Sequence, residues 1–381
     1  MDSKNKPRVC INACDDYDIA KLKKIISAQL ESLGGIDGLL KNGKNVVVKP
    51  NIVIRKTADA GATTNPAFLQ AVCELFCEKG ADVTVAESSG GLYNAATMGA
   101  NYRVSGIAQA AQNAGAKLHD DFSGTMLYRD ENKLCRSFNV LTPIANADVI
   151  VNLPKLKTHT IATMSCAVKN MYGVIPGIEK VELHSRFPDI TDFADMLIDL
   201  NLTVPPAVSI CDCIDVMEGN GPTAGTKTHI GAIMTSLSAF ALDIAAASLA
   251  KIDFSLVKTV ENADKRGILP ASLDSIELYG DVQLESIAKE LRLPDTKDTR
   301  FETLSGIFGG RLKKWLSPRP KVIKSRCVGC GDCVKNCPRK LITIREKKAH
   351  IETNGCIHCF CCHELCRHGA VKIKKPFISG M

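Results

Sequence analysis

The sequence ends in two cysteine runs that share one spacing, C-x2-C-x2-C-x3-C. The first run is Cys327, Cys330, Cys333 and Cys337, and the second, offset by 29 residues, is Cys356, Cys359, Cys362 and Cys366. Thiolates are soft ligands that select iron–sulfur clusters or zinc. A zinc ion would need only two C-x2-C pairs and would not require four cysteines in each of the two runs. The runs therefore favour iron–sulfur clusters and a chain that handles electrons one at a time.

The two runs, with Pro338 directly after the first, resemble the bacterial two-cluster ferredoxins. The resemblance implies a small α+β ferredoxin-like domain over residues 318–381 that holds two [4Fe–4S] clusters. One implied cluster has the ligands Cys327, Cys330, Cys333 and Cys366, and the other has Cys356, Cys359, Cys362 and Cys337. The apolar pair Ile342 and Ile344 recurs 29 residues later, so the repeat extends beyond the cysteines.

Three features near these cysteines depart from a simple repeat. Arg367 stands where the second copy would have proline, and a cation there would favour the reduced cluster and raise its potential. Cys361 breaks the spacing beside Cys362, and we interpret it as a spare thiol rather than a ligand. The nearby histidines are interpreted as solvated loop residues: His358, His363 and His368.

The net charge is unevenly distributed along the chain. Residues 318–381 contain fourteen Lys or Arg and four Asp or Glu, whereas the remaining 317 residues have a net charge of −3. Clusters bound by thiolates are negative and would balance part of this excess. The positive charge that remains would attract an acidic redox partner, which would be a low-potential electron donor or acceptor protein. No nucleic-acid partner is expected, because the tail lacks aromatic interleaving and nucleic-acid-binding motifs.

The compartment is predicted from the start of the chain and from its cysteines. The sequence begins without an apolar signal stretch and contains no apolar run long enough to span a bilayer. Its seventeen cysteines are therefore expected to be reduced rather than paired in disulfides. These features predict a cytoplasmic protein with no membrane span.

Strand and helix patterns alternate before the cysteine runs. Strands are predicted at 9–13, 46–49, 82–86, 148–153, 208–212, 230–235 and 275–279, and helices at 19–33, 66–79, 104–114, 191–201, 239–249, 256–265 and 284–291. This alternation predicts an α/β fold with a large, mostly parallel sheet over residues 1–293, as one domain or two lobes. Residues 294–317 break the pattern and are predicted to form a linker with a short helix that carries Trp315.

Four polar segments follow the carboxyl ends of predicted strands, where open α/β sheets bind ligands. They contain the candidate binding residues Lys49, Asn51, Glu87, Lys155, Lys157, Lys169, Asn170 and Asp212. Lysines and amides that converge at one sheet edge would bind a carboxylate or phosphate. The alternative is that each lysine is a solvated charge at a strand end. The segments thus predict a site for an anionic small molecule.

His159 and His184 are the candidate catalytic residues, because histidine titrates near neutral pH and can act as an acid or a base. Alternatively, each is a structural histidine, or binds a metal with Asp212 or Glu87. The sequence has no G-x-G-x-x-G after the early strands, no Walker loop and no nucleophile elbow. Nicotinamide-dependent and nucleotide-hydrolysing activities therefore lack sequence support.

Six segments of the large domain resemble the DUF362 family, a domain of unknown function that is often fused to a ferredoxin-like module. They are Lys49-Pro50-Asn51, Thr64-Asn65-Pro66, Glu87-Ser88, 152–159, Lys169-Asn170-Met171-Tyr172-Gly173 and Gly219-Asn220-Gly221-Pro222. The resemblance covers roughly residues 8–290 and implies an α/β domain with an iron–sulfur fusion, without a settled reaction. The domain is also distantly similar to the amino-terminal domain of lactate racemase.

Three functions are compatible with these features. The first is an iron–sulfur oxidoreductase that passes low-potential electrons from the clusters to an anionic substrate or cofactor in the α/β domain. In that case His159 or His184 would supply the proton that follows the electron. The second is a non-enzymatic electron carrier whose large domain docks a partner enzyme. The third is a racemase-like or isomerase-like domain whose clusters are structural or regulatory.

Overall fold

The computed structural model describes residues 6–297 and 318–374. The strands of the first range are β1 (Arg8–Ala13), β2 (Asn45–Lys49), β3 (Asp82–Val85), β4 (Lys117–Leu118), β5 (Gly124–Tyr128), β6 (Ser137–Leu141), β7 (Val149–Asn152), β8 (Lys155–His159), β9 (Thr163–Ser165), β10 (Val208–Glu218), β11 (Thr226–Ser236) and β12 (Glu277–Gly280). All seven predicted strands are present, and β10 and β11 are longer than predicted.

Helices connect most of these strands. They are α1 (Ile19–Ser32), α2 (Gly35–Leu39), α3 (Pro66–Glu78), α4 (Ala95–Ser105), α5 (Ile107–Asn113), α6 (Thr142–Ala145), α7 (Ala167–Asn170), α8 (Gly177–Arg186), α9 (Ile190–Thr203), α10 (Ala239–Leu249), α11 (Lys258–Lys265) and α12 (Leu284–Ile287). Short 3-10 turns lie at Leu40–Asn42, Ala58–Ala60, Met171–Val174, Phe254–Leu256, Leu273–Ser275 and Asp295–Lys297. Asn65 begins α3 by accepting a hydrogen bond from the backbone N–H of Ala67, and Pro66 occupies the first turn.

Ten strands form one sheet in the order β12-β1-β11-β10-β7-β2-β3-β4, with β8 paired to β10 and β9 paired to β8. The pairs β1–β11, β10–β11 and β8–β9 are antiparallel, and the other six pairs are parallel. The large domain is therefore the mostly parallel α/β domain that the sequence predicts. Because β2, β3 and β7 run in the same direction, the residues that follow them meet at one edge of the sheet.

Hydrophobic cores cover both faces of this sheet. Val46 and Val48 of β2 belong to the core that includes α1, α3 and α5, whereas Val47 belongs to the core that includes α9 and α10. Successive side chains of a strand point to opposite faces, and a strand buried on both faces is apolar along its length. The two cores thus share one continuous sheet rather than forming separate lobes.

Several elements differ from the prediction: strands β4, β5, β6, β8 and β9 were not predicted, and α12 ends at Ile287 rather than at residue 291. Residues 155–159 form β8 instead of a loop, because buried partners satisfy the ammonium groups of Lys155 and Lys157. Gly106, with φ of +81°, separates α4 from α5 and divides the predicted helix 104–114. Helix α8 has no counterpart in the prediction because few of its positions are buried and its sequence is largely polar.

Residues 318–374 form a small α+β domain. Its elements are β13 (Arg319–Val322), α13 (Asp332–Lys335), β14 (Ile342–Arg345), β15 (Lys348–Ile351), α14 (Cys361–Glu364) and β16 (Val371–Lys374). β13 pairs with β16 and β14 pairs with β15, both antiparallel. Helix α14 begins 29 residues after α13, which is the offset of the cysteine repeat. The small domain therefore has the predicted ferredoxin-like plan.

Two further expectations concern the whole chain. The predicted linker helix with Trp315 lies outside the described residues. Within residues 6–297 and 318–374, no helix has both the length and the apolar character needed to cross a membrane. All seventeen cysteines fall within these ranges, and none forms a disulfide.

Candidate functional site

Four cysteines of the small domain surround one apolar cavity. They are Cys337, Cys356, Cys359 and Cys362. Three belong to the second run and one belongs to the first, which is the ligand set that the resemblance implies for one cluster. Cys361 does not line this cavity, in keeping with its interpretation as a spare thiol.

The other four cysteines gather around Cys333. The pKa of Cys333 is raised to about 11, mainly by burial. A smaller contribution comes from the neighbouring cysteines Cys330, Cys366 and Cys327. Backbone N–H groups donate hydrogen bonds to sulfur, from Ala349 to Cys327 Sγ at 3.3 Å and from Ala370 to Cys366 Sγ at 3.2 Å. Such N–H···S bonds stabilise cluster thiolates. Both sets of cysteines therefore fit iron–sulfur clusters.

Two residues beside the cysteines, Arg367 and His363, make specific contacts that the sequence does not predict. The Arg367 guanidinium donates to Asp332 Oδ2 at 2.7 and 2.8 Å, so a carboxylate partly neutralises this cation. The expectation of a solvated loop histidine was wrong for His363, which is buried with Nδ1 2.6 Å from the Val371 carbonyl oxygen. This hydrogen bond fixes α14 to β16.

A second cavity, of about 100 Å³, lies between the α/β domain and the small domain. We call it the lysine cavity. Its charged and histidine side chains are Lys49, Glu87, Lys157, His159, Lys169, Lys180, His184 and Glu364. Lys49 ends β2 and Glu87 follows β3, so the sheet edge forms one side, while α7 and α8 form another. Glu364, on α14 of the small domain, closes the cavity.

Two lysines of the cavity use part of their hydrogen-bonding capacity on the protein. Lys49 Nζ donates to Glu87 at 2.5 Å and to the carbonyl oxygen of the next residue at 2.8 Å. Lys157 Nζ donates to Asn51 Oδ1 at 2.5 Å and to the Ala62 carbonyl oxygen at 2.8 Å. An ammonium group has three N–H donors, so each retains one for a ligand.

The other two lysines retain more donors. Lys180 Nζ donates to the Ser88 carbonyl oxygen. The Lys169 ammonium group makes no hydrogen bond or ion pair with any residue of the described ranges, and its Nζ lies 5.8 Å and 6.0 Å from the ring centres of Tyr172 and Phe193. Lys169 is therefore the cation with the greatest capacity to bind a ligand.

Burial lowers the pKa of all four cavity lysines. The pKa of Lys180 falls to about 7. The pKa of Lys157 falls well below its ordinary value, through burial and then through repulsion from Lys169 and Lys155. The pKa values of Lys49 and Lys169 are also lowered, in both cases by burial. Four lysines face two glutamates, so full ionisation leaves an excess of two positive charges that an anion would offset.

Both glutamates of the cavity are buried beside lysines. Burial raises the pKa of Glu87, against the opposing effect of Lys49. Burial also raises the pKa of Glu364 to about 7, against the opposing effects of Lys169 and Lys157. A Cβ atom on Gly173 would lie 2.1 Å from Glu87 Oε1, so glycine is required for the chain to pass this close to the Lys49–Glu87 pair.

The two candidate catalytic histidines both line the lysine cavity. His159 Nδ1 accepts hydrogen bonds from the backbone N–H groups of Ile161 (3.1 Å) and Ala162 (3.2 Å). The ring proton therefore resides on Nε2, which lies 3.3 Å from Glu364 Oε1. His184 stacks on Phe193 with ring centres 4.5 Å apart, and burial lowers its pKa to about 3. His184 is thus neutral near pH 7.

Amide side chains connect the walls of the cavity. Asn51 Nδ2 donates to Asn170 Oδ1 at 2.8 Å, and Asn170 Nδ2 donates to Asn152 Oδ1 at 2.7 Å. The same Asn51 accepts from Lys157. This chain of hydrogen bonds fixes the orientation of both amides and of the Lys157 ammonium.

Lys155 and Asp212 do not line the lysine cavity. They form a separate buried ion pair, with Lys155 Nζ 2.6 Å from Asp212 Oδ2. Tyr17 completes it by donating to Asp212 Oδ1 at 2.9 Å and by accepting from Lys155 at 2.9 Å. Among the described residues, no group of three or more His, Cys, Asp or Glu side chains is placed to bind a single metal ion.

The lysine cavity is directly beside the cysteines of the second run. Cys361 forms part of its wall and lies between Cys359 and Cys362 in the chain. Thr223 Oγ1 donates a hydrogen bond of 2.8 Å to the Glu364 carbonyl oxygen and so helps to fix this segment. The arrangement brings a cation-rich cavity within two residues of two cysteines of the second run.

The predicted site residues omit several residues of the cavity wall, among them Lys180, Cys361 and Glu364. Lys180 belongs to α8, which the prediction omits, although its i, i+4 spacing to His184 was a usable signal. Cys361 was identified only as a spare thiol. Glu364 could not be assigned because its role depends on how the small domain packs on the large one.

These features define an α/β protein with a lysine-lined cavity and a fused iron–sulfur domain. The model of the DUF362 family, a domain of unknown function, matches residues 46–248, and a 4Fe-4S dicluster domain matches residues 326–370. The chain belongs to the DUF362 family. The iron–sulfur ferredoxin domain gives it the capacity for electron transfer.

Two curated proteins are similar to parts of the chain. A thylakoid-associated protein of Synechocystis is 29% identical over 262 residues, which cover 68% of this chain and 79% of the relative. An uncharacterized ferredoxin of Methanocaldococcus jannaschii is 36% identical over 53 residues, which cover 13% of this chain and 86% of that protein. The second match supports iron–sulfur binding by the small domain.

Among solved structures, the lactate racemase apoprotein from Thermoanaerobacterium thermosaccharolyticum is similar to part of the chain. The sequence identity is 14% and the TM-score is 0.37. The match covers 58% of this chain and 54% of the racemase chain. A likeness of this size indicates neither activity nor substrate.

Proposed function

We propose that the chain is an iron–sulfur oxidoreductase that passes low-potential electrons to a small anion bound in the lysine cavity. The supporting observation is that Cys361 belongs to the cavity wall and stands between Cys359 and Cys362. Two [4Fe–4S] clusters, bound by the eight cysteines of the repeat, would supply electrons one at a time.

The residues of the lysine cavity have distinct roles in this proposal. Lys169 and Lys180 bind the anion, since they retain the most free N–H donors. Asn51 and Asn170 hold it in one orientation, because each amide is fixed by its own hydrogen bonds. His159 supplies the proton from Nε2, the ring nitrogen that faces the cavity.

The size of the cavity limits the substrate. The cavity volume of about 100 Å³ is well below the roughly 300–1,000 Å³ that is typical of sites for drug-sized ligands. A small carboxylate or oxoanion fits such a space, whereas a nucleotide or a coenzyme A ester exceeds it. We therefore propose a small carboxylate, oxo acid or inorganic oxoanion as the substrate.

Electrons would reach the clusters from a low-potential protein partner. Cys330 is exposed, and the neighbouring Val328 is 57% exposed, so the first cysteine run is accessible from outside. Cys361, which lies within the second run but is not one of its four repeat cysteines, lines the lysine cavity instead. In this proposal the partner docks near Cys330, and the substrate binds near Cys361.

The experiment is a binding screen on protein prepared anaerobically with its clusters intact. Small anions (phosphate, sulfate, nitrite, pyruvate, lactate, oxaloacetate) are added, and the melting temperature and the heat of binding are measured. A ligand at a hundred times its Kd adds about 2.7 kcal/mol to the free energy of unfolding. We expect at least one small anion to bind.

Variants locate that binding. Lys169→Gln removes the free ammonium of the cavity, and Lys24→Gln removes an exposed lysine of α1 as the matched control. The proposal requires loss of affinity in Lys169→Gln only. Absence of binding by every small anion would instead favour an electron carrier that docks a partner enzyme. Substrate isomerisation that persists after replacement of Cys330 and Cys359 would favour the isomerase function.

A further inference from the structure

A second, larger space lies between the two domains and is separate from the lysine cavity. This interdomain groove has a volume of about 480 Å³. Its polar side chains are Arg55, Thr97, Asn101, Asp332, Lys335, Asn336 and Arg367. Gly90 and Leu365 line both spaces and form the wall between them. A Cβ atom on Gly90 would lie 2.2 Å from Leu365 Cδ2, so this wall is closely packed.

The groove has cations that the protein leaves available. Arg55 Nε is shielded from solvent and has no hydrogen-bond partner in the described part of the chain. A buried guanidinium N–H without a partner is unfavourable, and a bound acceptor would correct this. The Lys335 ammonium group also makes no hydrogen bond or ion pair within residues 6–297 and 318–374, whereas Arg367 is paired with Asp332. Three cations against one carboxylate leave an excess of two positive charges.

We propose that the interdomain groove binds a phosphorylated ligand of mononucleotide size through its phosphate group. A phosphate monoester carries about −1.5 to −2 charges near pH 7, which matches the excess in the groove. The planar guanidinium of Arg55 binds phosphate oxygens in a forked geometry. The volume of the groove lies within the range of about 300–1,000 Å³ that is typical of small-molecule sites.

The groove is close to the cluster cysteines, so binding of a ligand there can be detected through the reduction potential of the clusters. Asn336 precedes Cys337, and Arg367 follows Cys366, so the groove borders a ligand from each cysteine run. An anion there would disfavour the extra electron of a reduced cluster. Binding is therefore expected to lower the reduction potential, a readout that does not depend on catalysis.

The test uses full-length protein with its clusters intact and three probes, namely flavin mononucleotide, AMP and pyrophosphate. Affinities are measured by calorimetry and, for the flavin, by fluorescence quenching. We expect at least one mononucleotide to bind, with an affinity that falls about tenfold or more in Arg55→Gln. Lys340→Gln, an exposed cation of the small domain outside the groove, is the matched control and keeps wild-type affinity.

Three results would overturn the proposal: no probe binds, Arg55→Gln binds as tightly as wild type, or pyrophosphate alone binds while both mononucleotides do not. Arg55 Nε has no hydrogen-bond partner within residues 6–297 and 318–374, so replacement of Arg55 is not expected to unfold the chain, and the melting temperature verifies this. Lys169→Gln is expected to retain probe binding in the groove. The proposal for the groove and the proposal for the lysine cavity are therefore tested independently of each other.

Discussion

His159 Nε2 lies 3.3 Å from Glu364 Oε1, and this contact joins a strand of the α/β domain to a helix of the iron–sulfur domain. Glu364 is two residues from both Cys362 and Cys366, whereas His159 is on β8. The packing of the small domain therefore completes the lysine cavity. Without α14, the cations of the sheet edge would face solvent.

Replacement of Glu364 and of Lys169 should change anion affinity in opposite directions. Glu364→Gln removes a negative charge from the cavity wall, so a small anion should bind more tightly, by about tenfold or ~1.4 kcal/mol. Lys169→Gln removes a positive charge and should weaken binding by a similar factor. Calorimetry with the best-bound small anion measures both. Equal affinities in the two variants would show that the anion binds elsewhere.

Anion binding should weaken as the pH rises through about 7. Burial lowers the pKa of Lys180 to about 7, so its side chain carries a positive charge below that pH and is neutral above it. The charged groups that act on Lys180 are Glu87, Lys49, Lys169 and Glu179. An anion favours the charged form, so binding near pH 7.5 should take up protons, which calorimetry in buffers of different ionisation enthalpy detects. Lys180→Met should reduce both effects, and unchanged proton uptake would contradict this assignment.

The Lys155–Asp212 pair should contribute to stability but not to ligand binding. Asp212→Asn leaves the Lys155 ammonium buried without its carboxylate, which should cost about 3–5 kcal/mol of the free energy of unfolding. Chemical denaturation measures this loss. Anion affinity should stay within about twofold of wild type, because neither residue lines the lysine cavity. A large loss of affinity in folded Asp212→Asn would place this pair in the site.

Arg367 and Asp332 should shift the reduction potential of the first cysteine run in opposite directions. Asp332 Oδ2 lies 3.5 Å from Cys330 Sγ and accepts from the Arg367 guanidinium. Arg367→Ala leaves the carboxylate unpaired, so the potential should fall, and Asp332→Asn should raise it. Redox titration followed by electron paramagnetic resonance measures both shifts. Arg339→Ala is a control on the same domain, outside this ion pair.

Local patterns in the sequence predicted much of the fold. Apolar segments with turn residues between them identified the seven strands, and the Asn65-Pro66 pair identified the start of α3. The cysteine spacing identified the small domain, because ligand spacing is a property of the local chain. The extra strand β8 escaped prediction, since Lys155 and Lys157 resemble exposed residues until their distant partners are known.

The candidate site was predicted less completely than the fold, because its geometry also depends on contacts between residues far apart in the sequence. The sequence placed Lys49, Lys157 and Lys169 near one sheet edge, and all three line the lysine cavity. It could not separate them from Lys155, whose partner Asp212 comes from a different strand. The sequence also gave no signal for Glu364, because the contact with His159 depends on domain packing across 205 residues.

The most direct test is reoxidation of the reduced protein by small anions. Protein with intact clusters is reduced anaerobically, freed of reductant, and mixed with each oxo acid or oxoanion, and the visible absorbance of the clusters is followed. We predict that at least one small anion reoxidises the wild-type protein and that Lys169→Gln slows this reaction tenfold or more, while Lys24→Gln does not. Reoxidation by none of them, or at equal rates in wild type and Lys169→Gln, would contradict electron transfer to the lysine cavity.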